Sequence, residues 1–386
     1  MDGGDKFTLR VVDRLSAVDA AQWDACAGAD NPFVGYGFLS ALEDSASASV
    51  QTGWLPQHLV LEDAAGRLIG AVPMYLKSHS WGEYVFDQSW AQAYERAGGD
   101  YYPKLQAAVP FTPVPGPRLL VHPAAPAETA ELLVGGMVEV ARRHKVSSLH
   151  MTFCDQPTWE RLGHAGFLQR LGQQFHWTNR GYSSFEDFLS ELNSRKRKAI
   201  RKERKAATEG GISVRALVGS EITARHWDAF HRFYLSTVDR KWGGAYLTRE
   251  FFELLPERLG DRIVLVVAER DGRPIGGALN LRGSDTLYGR NWGADGDYPF
   301  LHFEACYYQA IDFAIAHGLK RVEAGAQGQH KIQRGYLPVE TYSAHWIADR
   351  GLRQAIDHYL ERERPAVRAE MAELATLSPF RNEGEG

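Results

Sequence analysis

Two halves of this chain repeat one another, and the register between them slips by a fixed amount. Trp23-Asp24-Ala25 returns as Trp227-Asp228-Ala229 after 204 residues. The stretch His58 to Leu76 returns as Val264 to Arg282, with Gly66 and Gly70 matched by Gly272 and Gly276 at an offset of 206. A third match, Gly166-Phe167 and His176-Trp177 against Gly335-Tyr336 and His345-Trp346, has an offset of 169. The first copy therefore carries 37 extra residues between Leu76 and Gly166, which the pattern places before Pro126. So long a period belongs to a duplicated domain, because solenoid repeats recur every 20–50 residues or about that.

Each copy needs a core of its own, and 386 residues, 44% hydrophobic and 24% charged, suffice for two. The N-terminal MDGGDKFTLRVVDRL lacks the basic segment and apolar run of a signal peptide. No stretch approaches the roughly 20 apolar residues that cross a bilayer, so a cytoplasmic location is expected. Cys26, Cys154 and Cys306 are odd in number and far apart, which argues for buried thiols and against a disulfide framework or a thiolate metal site. A net charge of -4 excludes a protein that coats nucleic acid as a whole, though not a local basic patch.

Periodicity gives the same order of elements in each copy. The second copy predicts helices over 224–235 and 248–258, a hairpin of strands 263–269 and 274–281, and a third strand over 286–291. A loop over 292–299, a helix over 300–316, a strand over 321–325 and a last strand over 339–348 follow. The first copy predicts a helix near 19–25 and strands over 58–62, 68–77 and 84–87. After the extra residues come a helix over 126–144, a strand over 148–153, a helix near 158–164 and a strand over 172–178. The expected fold class is α/β, each copy a mixed, mostly antiparallel sheet flanked by helices. The expected domains are 1–183 (extra residues about 88–125), a basic linking helix 184–211, a second domain 212–350 and a helical tail 351–386.

Three segments carry chemistry. Glu323, Gln327, His330, Lys331 and Arg334 gather at a strand end among Gly325, Gly328 and Gly335. Open α/β sheets bind ligands at such ends, and glycine lets backbone approach a ligand closely. Lys331 could steady an oxyanion or hold a phosphate, and His330 could act as base toward an amine; the alternative is a solvated turn. In the first copy Glu83, Asp87, Tyr94, Tyr101, Tyr102 and Lys104 form either a pocket wall, with Asp87 or Glu83 as base, or a packed contact. The third segment is basic: Arg195, Lys196, Arg197, Lys198, Arg201, Lys202, Arg204 and Lys205. It predicts one helix from about 185 to 209, docked by a stripe of Phe185, Leu192, Ala199 and Ala206, capped by Ser184 and ended by Gly210-Gly211. Its cations suit phosphates of tRNA, of coenzyme A or of lipid headgroups; a solvated charged face is the alternative.

The stretches GEYVFDQSWAQAYERAGGDYYPKLQ (82–106), SRKRKAIRKERK (194–205) and LYGRNWG with YPFLHFEACYYQAIDFAIAHGLKRVEAGAQGQHKIQRGYLP (287–338) resemble the FemAB-like aminoacyl and acyl transferases. More narrowly, they are similar to a bacterial group of N-acyltransferase-type peptidoglycan biosynthesis and recognition proteins. The resemblance implies tandem GNAT-like acyltransferase domains, no tightly bound cofactor, no metal, and aminoacyl-tRNA or acyl-CoA as co-substrate. It also implies a small-molecule, peptide or lipid amine as acceptor. In those transferases a lysine of a Phe-Lys pair lies near the reacting carbonyl, and here the match is His330-Lys331, with His in place of the aromatic residue. Lys331, His330, Glu304 and Asp87 are thus the catalytic candidates. Glu83, Tyr102, Lys104, Arg290, Trp292, His302, Glu323, Gln327 and Arg334 are the substrate-binding candidates. An acetyl-CoA enzyme of this fold cradles pyrophosphate with spaced glycines ahead of the helix at Leu301. Here that loop carries Asp295 and Asp297, which repel it, so the expected donor leans to aminoacyl-tRNA. His302 and Cys306 share a helix face but lack a third metal ligand. A recognition protein without turnover remains the alternative to an enzyme.

Overall fold

The structure, a computed structural model, describes residues 7–241, 244–325 and 328–381. The first copy supplies strands β1 (Thr8–Val12), β2 (Trp54–Pro56), β3 (His58–Glu62), β4 (Leu68–Val72), β5 (Met74–Lys77), β6 (Lys104–Ala107), β7 (Leu120–Val121), β8 (Ser148–Cys154) and β9 (Leu168–Thr178). The second supplies β10 (Ile212–Val218), β11 (Ile263–Arg270), β12 (Arg273–Arg282), β13 (Thr286–Ala294), β14 (Arg321–Glu323) and β15 (Leu337–Ile347).

The chain divides into one compact unit that runs to Gly172 and adds Glu340–Arg368, and a second made of Gln173–Val339 and the residues from Ala369. In the first unit β5 lies between β2 and β6 antiparallel to both, β6 runs parallel to β8, and β8 is antiparallel to β15. A smaller antiparallel sheet, β1-β3-β4-β7, shares that unit. The helix Thr129–His144 covers the core through Leu133, Met137 and Ala141, packed with Leu59, Leu105 and Met151. In the second unit β10, β11, β12 and β13 form an antiparallel run, β13 is parallel to β14, and β14 is antiparallel to β9. The last strand of each copy thus completes the sheet that carries the other copy's parallel pair. This exchange moves the division away from the expected limits at 183, 211 and 350.

Three further expectations change. Residues 84–87 form no strand: Tyr84 sits at φ 59°, and Asp87 precedes the helix Gln88–Arg96. The third strand of the first copy is β6 instead, so its extra residues are split around that strand. Residues 78–103 separate β5 from β6, where 283–285 suffice between β12 and β13. The basic segment is two helices, Phe185–Ser190 and Ser194–Ala207, because the Asn193 side chain accepts from the Lys196 amide and starts a new helix. The restart shifts the buried stripe to Ile200 and Ala207, leaving Ala199 exposed. Finally, β13 continues through Ala294, into the expected loop.

The helix Ala224–Lys241 lies directly on β13: a Cβ at Gly293 would stand 2.1 Å from the Phe233 carbonyl oxygen. The helical run 301–316 opens at Leu301–Phe303, widens into a π turn over Glu304–Tyr308 and regularises over Gln309–Ala316. Cys26 and Cys154 are buried free thiols, and Cys306 is half-buried. Among the described residues, no helix is long and apolar enough to cross a membrane.

The exchange makes a prediction about fragments. Residues 1–183 alone lack β15 and should show no cooperative urea transition by tryptophan fluorescence, whereas co-expression with 184–386 should restore one. A cooperative transition in the isolated fragment would show that β15 is dispensable to the first unit.

Candidate active site

In the second unit β14 ends at Glu323, and the chain turns through Gly325 and Gly328 into the short helix Gln329–Arg334. Gly328 has φ 116°, and a Cβ there would meet the His330 ring at 2.5 Å, so only glycine lets His330 lie back over the turn. Lys331 is 2% exposed, and its Nζ donates to the Gly325 carbonyl at 2.9 Å. Among the described residues no carboxylate compensates this ammonium, and burial lowers its pKa from 10.5 to about 8, against a smaller opposing effect of the Cys306 thiol. His330 Nε2 shares a 2.9 Å hydrogen bond with the Tyr307 hydroxyl, and its ring lies against Phe303 and His302. The π turn supplies this partner, a placement in keeping with the frequent occurrence of such turns at functional sites.

Glu323 lies beneath the same turn. It is 4% exposed, and burial raises its pKa from 4.5 to about 8, against the opposing pull of Arg321. His176 of β9 approaches it at 3.8 Å, and burial lowers that imidazole to about 3. At neutral pH the pair is therefore a carboxylic acid beside a neutral imidazole. Glu323 Oε2 has no hydrogen-bond partner among the described residues.

Two candidates occupy one another. Both oxygens of Glu304 accept from Arg204, at 3.0 and 2.9 Å, and Arg204 also reaches Asp312 at 2.6 Å. Arg334 is likewise engaged: it donates twice to Glu203 at 2.9 Å and once to the His330 carbonyl at 2.8 Å, and stacks over Phe303. These pairs brace the turn and the π turn, and they leave Glu304 and Arg204 committed to each other. Trp292 and His302 meet edge to face at 5.4 Å and line a cavity of about 310 Å³ with Asp297 and Tyr298. Arg290, on β13, acts electrostatically on Glu323. Gln327 lies outside the described residues.

The first unit holds a second buried centre, built by the extra residues ahead of β6. Lys104 Nζ donates to Ser80 Oγ at 2.8 Å, to Glu83 at 2.7 Å and to Asp87. Tyr101 donates to Asp87 at 2.8 Å, and Tyr102 shares a 2.8 Å bond with Ser80. Burial alone would discharge Lys104, but the two carboxylates outweigh it and raise its pKa. Burial also pushes up Asp87, yet Lys104 holds it well below the usual carboxylate range, whereas Glu83 rises to about 7. His150 adjoins this centre, 3.4 Å from the Tyr101 hydroxyl, and shares a 2.7 Å bond with His345.

His150 faces His345 across β8 and β15 as Glu323 faces His176 across β14 and β9. Sequence reasoning missed these histidines as site residues, although His176-Trp177 and His345-Trp346 were among the repeat's own anchors. Among the described residues, no three His, Cys, Asp or Glu side chains gather so as to hold a metal ion.

Residues 14–382 match the model of the FemAB-like peptidoglycan biosynthesis/recognition family. The chain belongs to that family. No curated protein matches it. Among solved structures, FemX aligns with a TM-score of 0.55 at 11% identity, over 88% of this chain and 98% of FemX. A conserved protein of unknown function from Bacteroides thetaiotaomicron aligns at 0.51 and 13% identity, over 88% of this chain and 99% of its own. A tandem GNAT protein from the clavulanic acid biosynthesis pathway aligns at 0.46 and 13% identity, over 89% and 98%. The fold is the tandem GNAT-like one.

Removing Lys104 from the first centre should destabilise the fold before it does anything else. Lys104→Met removes the cation bonded to both Glu83 and Asp87, leaving Lys77 to act on Glu83 through space, and should cost about 3–5 kcal/mol, read as a lowered urea midpoint. A loss below 1 kcal/mol or so would mean that the triad is hydrated and not structural.

Proposed function

We propose that the protein is an N-acyltransferase that moves an acyl or aminoacyl group onto an amine, with its chemistry in the second unit. The observation that carries this reading is the buried Lys331 ammonium, anchored to a single carbonyl and lying next in sequence to the His330–Tyr307 pair. The amine lone pair attacks the donor carbonyl, a C–N bond forms, and charge develops on the carbonyl oxygen, where Lys331 stabilises it. His330 takes the proton that the amine loses. Collapse of the intermediate breaks the bond from carbon to the donor's oxygen or sulfur, and the proton passes to that leaving group. Glu323, protonated at neutral pH, serves as a hydrogen-bond donor rather than a base.

Asp295 and Asp297 sit where this fold would otherwise cradle a pyrophosphate, which favours aminoacyl-tRNA over acyl-CoA as donor. Arg195, Lys198, Lys202 and Lys205 are exposed along one helix and suit an RNA backbone, while Arg201 is paired with Glu186 and Arg204 with Glu304. The acceptor would be an amine-bearing small molecule, peptide or lipid.

Turnover is to be measured with charged tRNA and with acyl-CoA, beside binding by thermal shift. Lys331→Ala should lower kcat about 10²–10³-fold with donor binding kept. Binding without turnover on any donor, in the wild type, would leave a recognition protein instead. Because Lys331 is cationic only below its pKa of about 8, kcat should fall as pH rises through 8. Lys331→Arg, cationic throughout, should carry what activity it keeps past that point.

A further inference from the structure

Arg225 and Arg232 stand seven residues apart on the helix Ala224–Lys241, and so on one face of it. Arg273 opens β12. All three are exposed, and all three line one cavity of about 490 Å³, together with Phe233, Pro274 and Asp295. Arg225 Nη2 donates to the Gly272 carbonyl at 2.5 Å, and Arg232 Nη1 to the Asp228 carbonyl at 3.1 Å. A guanidinium has five N–H donors, so these contacts fix the two heads while leaving donors for a ligand. Of the nearby acids, Asp228 pairs with Arg249 at 2.7 Å, and Asp295 accepts the Tyr298 hydroxyl at 2.8 Å. Among the described residues that line the cavity, three cations face one carboxylate.

A second cavity adjoins the first. Asp295 lines one, and Ala294, Gly296 and Asp297 line the other, so the two flank a single short loop. Both volumes fall in or near the range of ligand pockets, about 300–1,000 Å³. The second leads to His302, whose ring lies 6.3 Å from that of His330. A cavity lined by arginines beside one lined by aromatics and ending at His302 matches a ligand that is phosphorylated at one end and reactive at the other. Guanidinium forks are the side chains best shaped for phosphate.

We infer that the Arg225–Arg232–Arg273 cavity binds the phosphates of a nucleotide-bearing donor, and that the adjoining cavity leads its acyl-bearing end toward His302 and His330. The site stands in for the glycine cradle that Asp295 and Asp297 preclude. Only its second clause rests on the transferase reading above; phosphate binding stands apart from it.

The test is titration of the full-length protein with inorganic pyrophosphate, coenzyme A and a short acceptor-stem RNA hairpin, across a salt series. Arg225→Gln/Arg273→Gln, with Arg232→Gln as a single milder variant, should bind whichever ligand the wild type binds about tenfold more weakly per arginine, with melting temperature unchanged. For the hairpin, the salt slope should fall by about one per arginine. A loss confined to coenzyme A identifies a small nucleotide donor, and a loss confined to the hairpin an RNA donor; both support the site. Wild-type binding of none of the three overturns it, as does a loss that follows Lys198→Glu/Lys202→Glu and spares the arginine variants. Arginine-dependent binding without turnover would retain this site and reject the transferase, whereas Lys331-dependent turnover without it would do the reverse.

Discussion

The backbone hydrogen bonds that join β9 to β14 and β15 to β8 are the constraint on which the rest depends. Through them each parallel strand pair gains its last neighbour from the other copy, and with it a histidine: His176 beside Glu323, and His345 beside His150. The histidine pairing at each centre therefore draws on both copies. The pairing is also remote in sequence, with His150 and His345 195 positions apart, so loop-closure entropy must be overcome before these histidine pairs form.

The two centres show how burial and pairing set charge. Lys104 and Lys331 are both buried lysines whose charged form burial disfavours. Two carboxylates face Lys104 and keep it cationic, whereas Lys331 has a carbonyl, which cannot offset that cost, and its pKa falls to about 8. The first arrangement yields a fixed structural charge. The second yields a group that titrates close to physiological pH, as active sites require of their working residues. The same logic separates Asp87, held ionised by its lysine, from Glu323, kept protonated by its surroundings.

Much of this was legible in the sequence, and what was not has a physical cause. The hairpin β11–β12 and its copy β3–β4–β5 were readable because alternating apolar residues and Asp-Gly or Gly turns are local signals. The Glu323 to Arg334 cluster was readable because glycines and polar residues at a strand end are local too. Strand exchange was not: β9 and β15 carry the same pattern whichever sheet receives them. Residues 84–87 look like a strand, yet the Lys104 network draws Glu83 and Asp87 inward and puts β6 in the expected strand's place. The pairing of Arg204 with Glu304 was hidden because a run of cations does not reveal which of its members meets an acid 100 residues on. The histidine pairs were visible as repeats, but a repeat alone does not distinguish a site from a core.

The widened turn at Glu304–Tyr308 has a consequence for how this region tolerates change in length. A π turn holds one residue more than the helix around it needs, and each residue of an α-helix turns the chain by about 100°. The extra residue is therefore an angular setting: it brings Tyr307 to His330 and Tyr308 to Glu203, while Ile311 and Ala314 farther along still face the core. Loss of a single residue here would leave a more regular helix and a misaimed site. Helical regularity and the contact of Tyr307 with His330 are in this segment opposed.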